Sequence, residues 1–199
     1  MSEPMKYFAI DRSKRITHDS IPPEKVSFLQ GLRTEFESFA QMMTIRATEI
    51  PDKVHVLYYD KQITYNQTNQ RANRVANYLR TLGVRKGEVV SLLIINSPEI
   101  LYVMFGIMKI GAIAGSLNYL LKGPELAYVL DDCKPKVVFV GSEFMETFAE
   151  GYKMAVHKPI VVEVKTGEEH GIPISGETFD GIIRNYPRSE ERRVGKECR

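Results

Sequence analysis

Cysteine is scarce. Cys133 and Cys198 are the only two in 199 residues, too few for the disulfide framework of a small secreted domain. An excess of one charge is lacking as well. Lys and Arg total 27 against 25 Asp and Glu, so no basic surplus argues for a nucleic-acid partner. Residues 1–14 hold no apolar run of signal-peptide length, and the chain reads as cytoplasmic. An unbroken membrane-spanning run is missing too. Residues 89–117 are strongly apolar, but Asn96-Ser97-Pro98-Glu99 interrupts them and Lys109 sits in the second half. Neither half reaches the ~20 apolar residues that a spanning helix needs. The stretch reads as a buried strand followed by a buried helix.

The usual phosphate-binding glycine loops are also absent. Such a loop needs closely spaced glycines that expose backbone amides at a helix start, and neither GxxxxGK[ST] nor GxGxxG occurs. Ser175-Gly176-Glu177-Thr178 has part of that composition but lacks the further glycine and the lysine, and it reads as a loop entering a helix cap. The histidines are His18, His55, His157 and His170. None forms HxxxH or a Cys/His cluster. Glu168-Glu169-His170 reads as solvated loop. Cys133, after a helix end, reads as a small packing residue. No Ser/His/Asp set stands out. The sequence therefore assigns no catalytic, cofactor-binding or metal-ligating residue.

What is present is an ordinary globular balance, 43% hydrophobic and 26% charged, with enough length to bury a core. Residues 1–33 form an extended, proline-containing lead-in. Thr34 and Glu37 suggest a capping box, and Phe36, Phe39, Ala40, Met43 and Ala47 recur at helical spacing until Pro51. Residues 54–59 alternate as a strand with Val54, Val56 and Tyr58 on one face, and residues 63–65 return as a hairpin. Ala72, Val75, Ala76, Leu79 and Leu82 stripe the next helix, with Arg71, Arg74, Asn77 and Arg80 elsewhere on it, and Gly83 stops it.

From residue 89 strands and helices alternate at short spacing. Residues 89–95 form a strand covered on both faces. Ser97 and Pro98 open a helix, residues 99–110, that is apolar nearly all round. Its Ile100, Met104, Phe105, Ile107 and Met108 are expected to be buried. Residues 112–117 are expected to be another buried strand. A helix (122–132), a strand (136–140), a helix (142–156), a strand (159–164), a glycine-containing polar loop and a last helix from Thr178 complete the order. The pattern predicts an α/β fold with a mainly parallel sheet flanked by helices.

Three stretches in this order resemble the adenylate-forming (AMP-binding) superfamily. They are ITYNQTNQRANRVANYLRTLGVRKGEVV (63–90), INSPEILYVMFGIMKIGAIAGSLN (95–118) and KGPELAYVLDDCKPKVVFV (122–140). Each is weak alone, and their order and spacing make the match specific. Gly115-Ser116, where many members carry Val-Pro, and Lys122-Gly123-Pro124-Glu125-Leu126 look more like fatty-acyl-CoA ligases than peptide-synthetase domains.

The resemblance implies residues 34–187 as an incomplete amino-terminal AMP-binding domain of an acyl-CoA synthetase. The full-length enzyme would use ATP, Mg2+ and coenzyme A. Its phosphate-contacting Ser/Thr/Gly loop with a lysine, its magnesium-binding acid and its catalytic lysine would all lie further along the chain. The implied partners are a carboxylic acid substrate and the remainder of its own chain, with peripheral membrane association compatible. The alternatives are a non-catalytic α/β nucleotide-binding or interaction module and a fatty-acid transport-type synthetase at a membrane.

Residues 188–199, RSEERRVGKECR, change character abruptly, with Val194 the only aliphatic residue. They resemble the translation of a widely used DNA-sequencing adapter. This implies a non-native tail that packs poorly, with the natural sequence ending near Pro187. No role is given to Arg192, Arg193 or Lys196.

Overall fold

The computed structural model describes residue 36, residues 38–166 and residues 178–190. The first described helix, α1 (Phe39–Glu49), starts where the Ser38 hydroxyl accepts the Gln41 backbone N–H. It ends before Pro51, as a residue preceding proline disfavours the helical conformation. The cap expected at Thr34 and Glu37 lies outside the described residues. Strands β1 (Val54–Tyr58) and β2 (Lys61–Thr64) form an antiparallel hairpin. Thr64 then caps α2 (Tyr65–Thr81) through a reciprocal box with Gln67, which satisfies two otherwise free amides. Gly83 follows that helix at φ +70°.

The remaining elements alternate. They are β3 (Val89–Leu93), α3 (Pro98–Lys109), β4 (Ile113–Ser116), α4 (Gly123–Cys133), β5 (Val137–Gly141), a short 3-10 turn (Ser142–Phe144), α5 (Met145–Met154), β6 (Ile160–Val164) and α6 (Phe179–Asn185). Strands β3 to β6 make one parallel sheet in the order β4-β3-β5-β6.

Side-chain alternation along the strands divides the core in two. Val90, Leu92, Val137, Phe139, Val162 and Val164 join Val75, Leu79, Val103, Ile107 and Ile182 of α2, α3 and α6 on one face. Leu93, Val138, Val140 and Val161 join Leu126, Leu130, Met145 and Phe148 of α4 and α5 on the other. A period of two on doubly covered strands explains why β3 and β5 read as continuous apolar runs.

Each face has one tight helix crossing made possible by a glycine. A Cβ on Gly106 of α3 would lie 2.7 Å from the Val75 side chain and 3.0 Å from the Ala72 carbonyl of α2. A Cβ on Gly151 of α5 would lie 2.6 Å from the Leu126 Cβ of α4 and 2.9 Å from the Gly123 carbonyl. Outside the sheet, Asp131 at the end of α4 accepts the backbone N–H groups of Val156 and His157 at 3.1 and 2.7 Å. These hydrogen bonds, His157 first, hold its carboxyl below the ordinary aspartate pKa.

Several expectations are corrected. β4 is an edge strand, not a buried one. It pairs only with β3 among the described residues, and Ile113 is 53% exposed. In α3, Tyr102, Val103, Gly106 and Ile107 are buried, while Ile100, Met104, Phe105 and Met108 are only half-buried. Hydrophobicity all round the helix does not mean burial all round, because one face packs on α2 and the sheet. A bulge between Val54 and Val56 breaks the alternation of β1, leaving Val54 exposed and His55 half-buried. Phe39 is exposed rather than part of the α1 stripe, and so is Cys133 at the end of α4.

Two outcomes follow for stability. Ile107→Ala is expected to cost ~2–5 kcal/mol in chemical denaturation, the usual range for truncating a fully buried aliphatic. Phe105→Ala is expected to cost less than Ile107→Ala. Equal losses would contradict the one-sided burial of α3. Asp131→Ala is expected to destabilise the protein in a pH-dependent way. A depressed native pKa contributes stability that is complete above the unfolded value and lost as pH falls through the native one. The melting-temperature gap between wild type and Asp131→Ala should therefore be open near neutrality and close in acid. A gap that stays constant down to acid pH would refute the carboxylate's role.

Candidate functional site

Strand order reverses around β3. Its chain neighbour β4 lies on one side, and β5 and β6 follow on the other. In open parallel sheets such a reversal leaves a crevice at the carboxyl ends of the strands, where ligands are received. Here a cleft of about 550 Å³ lies at that end. Ser97, Pro98 and Glu99 open α3 just after β3, and Lys165 and Thr166 follow β6. The β1–β2 hairpin and α2 supply Tyr58, Lys61, Gln67 and Arg71, and α6 supplies Phe179 and Asp180.

The best-fixed group in the cleft is Arg71. Its guanidinium donates to the Tyr102 hydroxyl at 2.8 Å and lies 5.0 Å from the centroid of that ring. Tyr102 is 2% exposed, and its ring stacks on Phe179 with centroids 6.4 Å apart. Burial raises the pKa of the Tyr102 hydroxyl, with the Arg71 charge opposing. At neutral pH the phenol is therefore protonated, and it accepts from Arg71 while its own proton stays on oxygen.

Three polar atoms at this end of the sheet are buried without a hydrogen-bond partner among the described residues. They are Ser97 Oγ after β3, and Ser142 Oγ and Glu143 Oε1 after β5. Ser97 occupies the cap position of α3 in extended backbone, yet its hydroxyl makes no capping bond. The other oxygen of Glu143 accepts from the Thr166 hydroxyl, which ties the ends of β5 and β6 together. Unpaired buried polar atoms carry a desolvation cost, so this rim favours polar groups supplied from outside the described residues.

The cleft mixes the cations Lys61, Arg71 and Lys165 with the acids Glu99 and Asp180. Among the described residues it contains neither histidine nor cysteine. Among the described residues no group of three or more His, Cys, Asp or Glu could hold a metal ion. The arrangement can bind and orient a polar group; among the described residues it holds no nucleophile paired with a base.

The described histidines, His55 and His157, do not line the cleft. His55 Nδ1 is 3.1 Å from the Thr68 hydroxyl, and burial lowers its pKa. His157 Nε2 is 2.8 Å from the Pro135 carbonyl. His18, His170 and Ser175-Gly176-Glu177 lie outside the described residues, and Thr178 caps α6 by accepting from the Gly181 N–H. Sequence reasoning placed Arg71 with the polar remainder of α2. Its signal was its position four residues before Val75, which puts it at the border of the apolar stripe and within reach of α3.

Comparison with known proteins agrees with this geometry. Residues 43–181 match the model of the family described as AMP-binding enzyme. Over 125 residues the chain is 37% identical to the medium/long-chain-fatty-acid–CoA ligase FadD6 of Mycobacterium tuberculosis, covering 61% of this chain and 21% of that protein. The anthranilate CoA ligase AuaEII, solved with anthranoyl-AMP, superposes with a TM-score of 0.64 at 34% identity, over 74% of this chain and 28% of that one. The N-terminal domain of FACL13 from Mycobacterium tuberculosis, solved with an inhibitor, gives a TM-score of 0.64 at 27% identity over 80% of this chain and 37% of that one. The chain thus spans about a fifth of the length of FadD6. A family match across most of the chain, on a sheet with the expected order of strands and helices, has one reading: the chain belongs to the AMP-binding enzyme family, the adenylate-forming superfamily that the motifs between Ile63 and Val140 resemble.

Proposed function

We propose that the chain is the amino-terminal part of an ATP-dependent acyl-CoA synthetase. Such an enzyme joins a carboxylic acid, here read as a fatty acid, to ATP, giving an acyl-adenylate and pyrophosphate. Coenzyme A then displaces AMP to give the thioester. The observation that carries this reading is the joint likeness to a fatty-acid–CoA ligase at 37% identity and to a CoA ligase solved with its acyl-adenylate at 34%. The likeness to an N-terminal domain supports the placement within the longer enzyme.

The described residues do not themselves fit magnesium and a triphosphate. They contain no metal-ligating cluster, and the cleft sets acids beside its cations instead of concentrating positive charge. No chemical step is therefore assigned to them. Stabilising charge at a reacting phosphate needs preorganised donors and a cation. In this reading those groups, the magnesium-binding acid and the catalytic lysine belong to sequence beyond this segment.

The role of the segment is to build the scaffold. It presents the carboxyl end of a parallel sheet, with Ser97, Ser142 and Glu143 awaiting polar partners from the remainder of the enzyme. No described helix is long and apolar enough to cross a membrane, and the reading places the enzyme in the cytoplasm.

The test is acid-dependent exchange of labelled pyrophosphate into ATP, with a panel of short- to long-chain acids. It is run on the 199-residue chain and on the product of the complete gene. Exchange by the complete product alone is the expected result. Exchange by the 199-residue chain would overturn the assignment of the chemistry to residues beyond it. No exchange by either protein would favour a non-catalytic module.

A further inference from the structure

Helix α2 buries two primary amides one turn apart, Asn73 at 5% and Asn77 at 2% exposure. Neither spends its amide nitrogen on a neighbouring side chain. Asn77 Nδ2 donates to the carbonyls of Pro187 and Ser189 at 2.9 and 3.0 Å. Asn73 Nδ2 donates to the carbonyl between them, Arg188, at 2.9 Å. Arg80 donates to Asn77 Oδ1 at 2.8 Å. Because a guanidinium can only donate, that bond fixes which end of the Asn77 amide faces the chain.

The gripped segment is held at both ends. Before it, Tyr186 packs edge-on against Tyr78 of α2 with centroids 5.3 Å apart and turns the chain out of α6 in extended backbone. After it, the Glu190 carboxylate lies 3.9 Å from Lys109 Nζ of α3, a side chain only 2% exposed that also donates to Thr44 of α1. Pro187, Arg188, Ser189 and Glu190 are themselves exposed. The grip is thus on the main chain, through the carbonyls of residues 187–189.

Two buried carboxamides without partners would each carry a desolvation cost. The face of α2 that bears them is therefore built for an occupant that offers carbonyl groups. The segment bends at Arg188 and Ser189, and the three successive carbonyls of Pro187, Arg188 and Ser189 converge on one face of α2. Asn73 Oδ1 is buried without a partner among the described residues, an acceptor suited to a backbone N–H.

We propose that Asn73 and Asn77 form a main-chain clamp on α2, which binds a bent stretch of polypeptide by its carbonyls irrespective of side chain. Its occupant is the segment Pro187–Ser189 of this chain, and it fixes the direction in which the polypeptide leaves α6. The clamp does not distinguish native from foreign sequence. The tail expected to pack poorly is thus seated through its main chain at Arg188 and Ser189, with their side chains exposed, while Val194 lies outside the described residues.

Trypsin reads the clamp directly, because Arg188 supplies a cleavable bond inside it. Cleavage of a folded protein follows the population of the open segment when opening is fast. In the purified chain, Asn73→Ala and Asn77→Ala together are expected to speed cleavage after Arg188 about tenfold or more, given the three hydrogen bonds lost, while the melting transition persists. Ser189→Gly with Glu190→Gly is expected to leave cleavage after Arg188 well below the rate for a synthetic peptide of residues 185–194. That second variant touches no core residue, so it reports even if the asparagine variants fail to fold. Cleavage of the Ser189→Gly/Glu190→Gly variant at the peptide rate would overturn the proposal. Unchanged cleavage in a folded Asn73→Ala/Asn77→Ala variant would overturn it equally.

Discussion

The described domain depends on burying β3 and β5 from both sides. These two central strands carry Val90, Leu92 and Leu93, and Val137 to Val140, all at 2% exposure or less. Backbone groups at that depth must be paired, and a parallel ladder pairs them only if each strand has neighbours on both edges. That requirement draws in β4 and β6. The apolar side chains on the two faces then require helices above and below. The crossover helices supply them, with α2, α3 and α6 on one face and α4 and α5 on the other.

Close packing sets the next level of detail. Helices can approach as they do only because Gly106 and Gly151 stand at the two crossings. At the Gly106 crossing Tyr102, one turn earlier on α3, comes within a hydrogen bond of Arg71 on α2. The wall of the cleft is thus a consequence of the α2–α3 contact. Its rim is a consequence of strand order. Because the chain reverses at β3, the connections after the neighbouring strands β3 and β5 leave toward opposite faces and open space at the carboxyl end of the sheet. The unpaired Ser97, Ser142 and Glu143 atoms stand at this end.

The polar residues of α2 show how one helix serves several purposes. Its apolar stripe meets the core, Arg71 meets α3, and Asn73 and Asn77 meet the chain that leaves α6. The wheel of apolar residues alone places Asn77 on the outside. In the folded protein it is nearly inaccessible, because the returning segment covers it and offers the carbonyls that make its burial tolerable.

Much of the fold was legible in the sequence. The apolar runs that become β3 and β5, the Ala72-Val75-Leu79 stripe, the stop at Gly83 and the Pro98 start all depend on local periodicity and local backbone preference, and each was placed within a residue or two. What failed needed knowledge of neighbours. The edge position of β4, the half-exposed side of α3 at Phe105 and the exposed Cys133 cannot be read from hydrophobicity, because burial depends on what packs opposite. The bulge that brings His55 inward in place of Val54 is set by pairing with β2. None of the cleft residues was given a binding role from the sequence, where Ser97 and Pro98 read only as a helix start. Arg71 and Tyr102 are 31 positions apart, and Asn77 and Pro187 are 110 apart. By itself the sequence determined which segments become strands and helices and the family they belong to, because those properties repeat over short spans. Only the tertiary structure decided which polar groups meet, because that requires distant segments to share one surface with the geometry of a hydrogen bond.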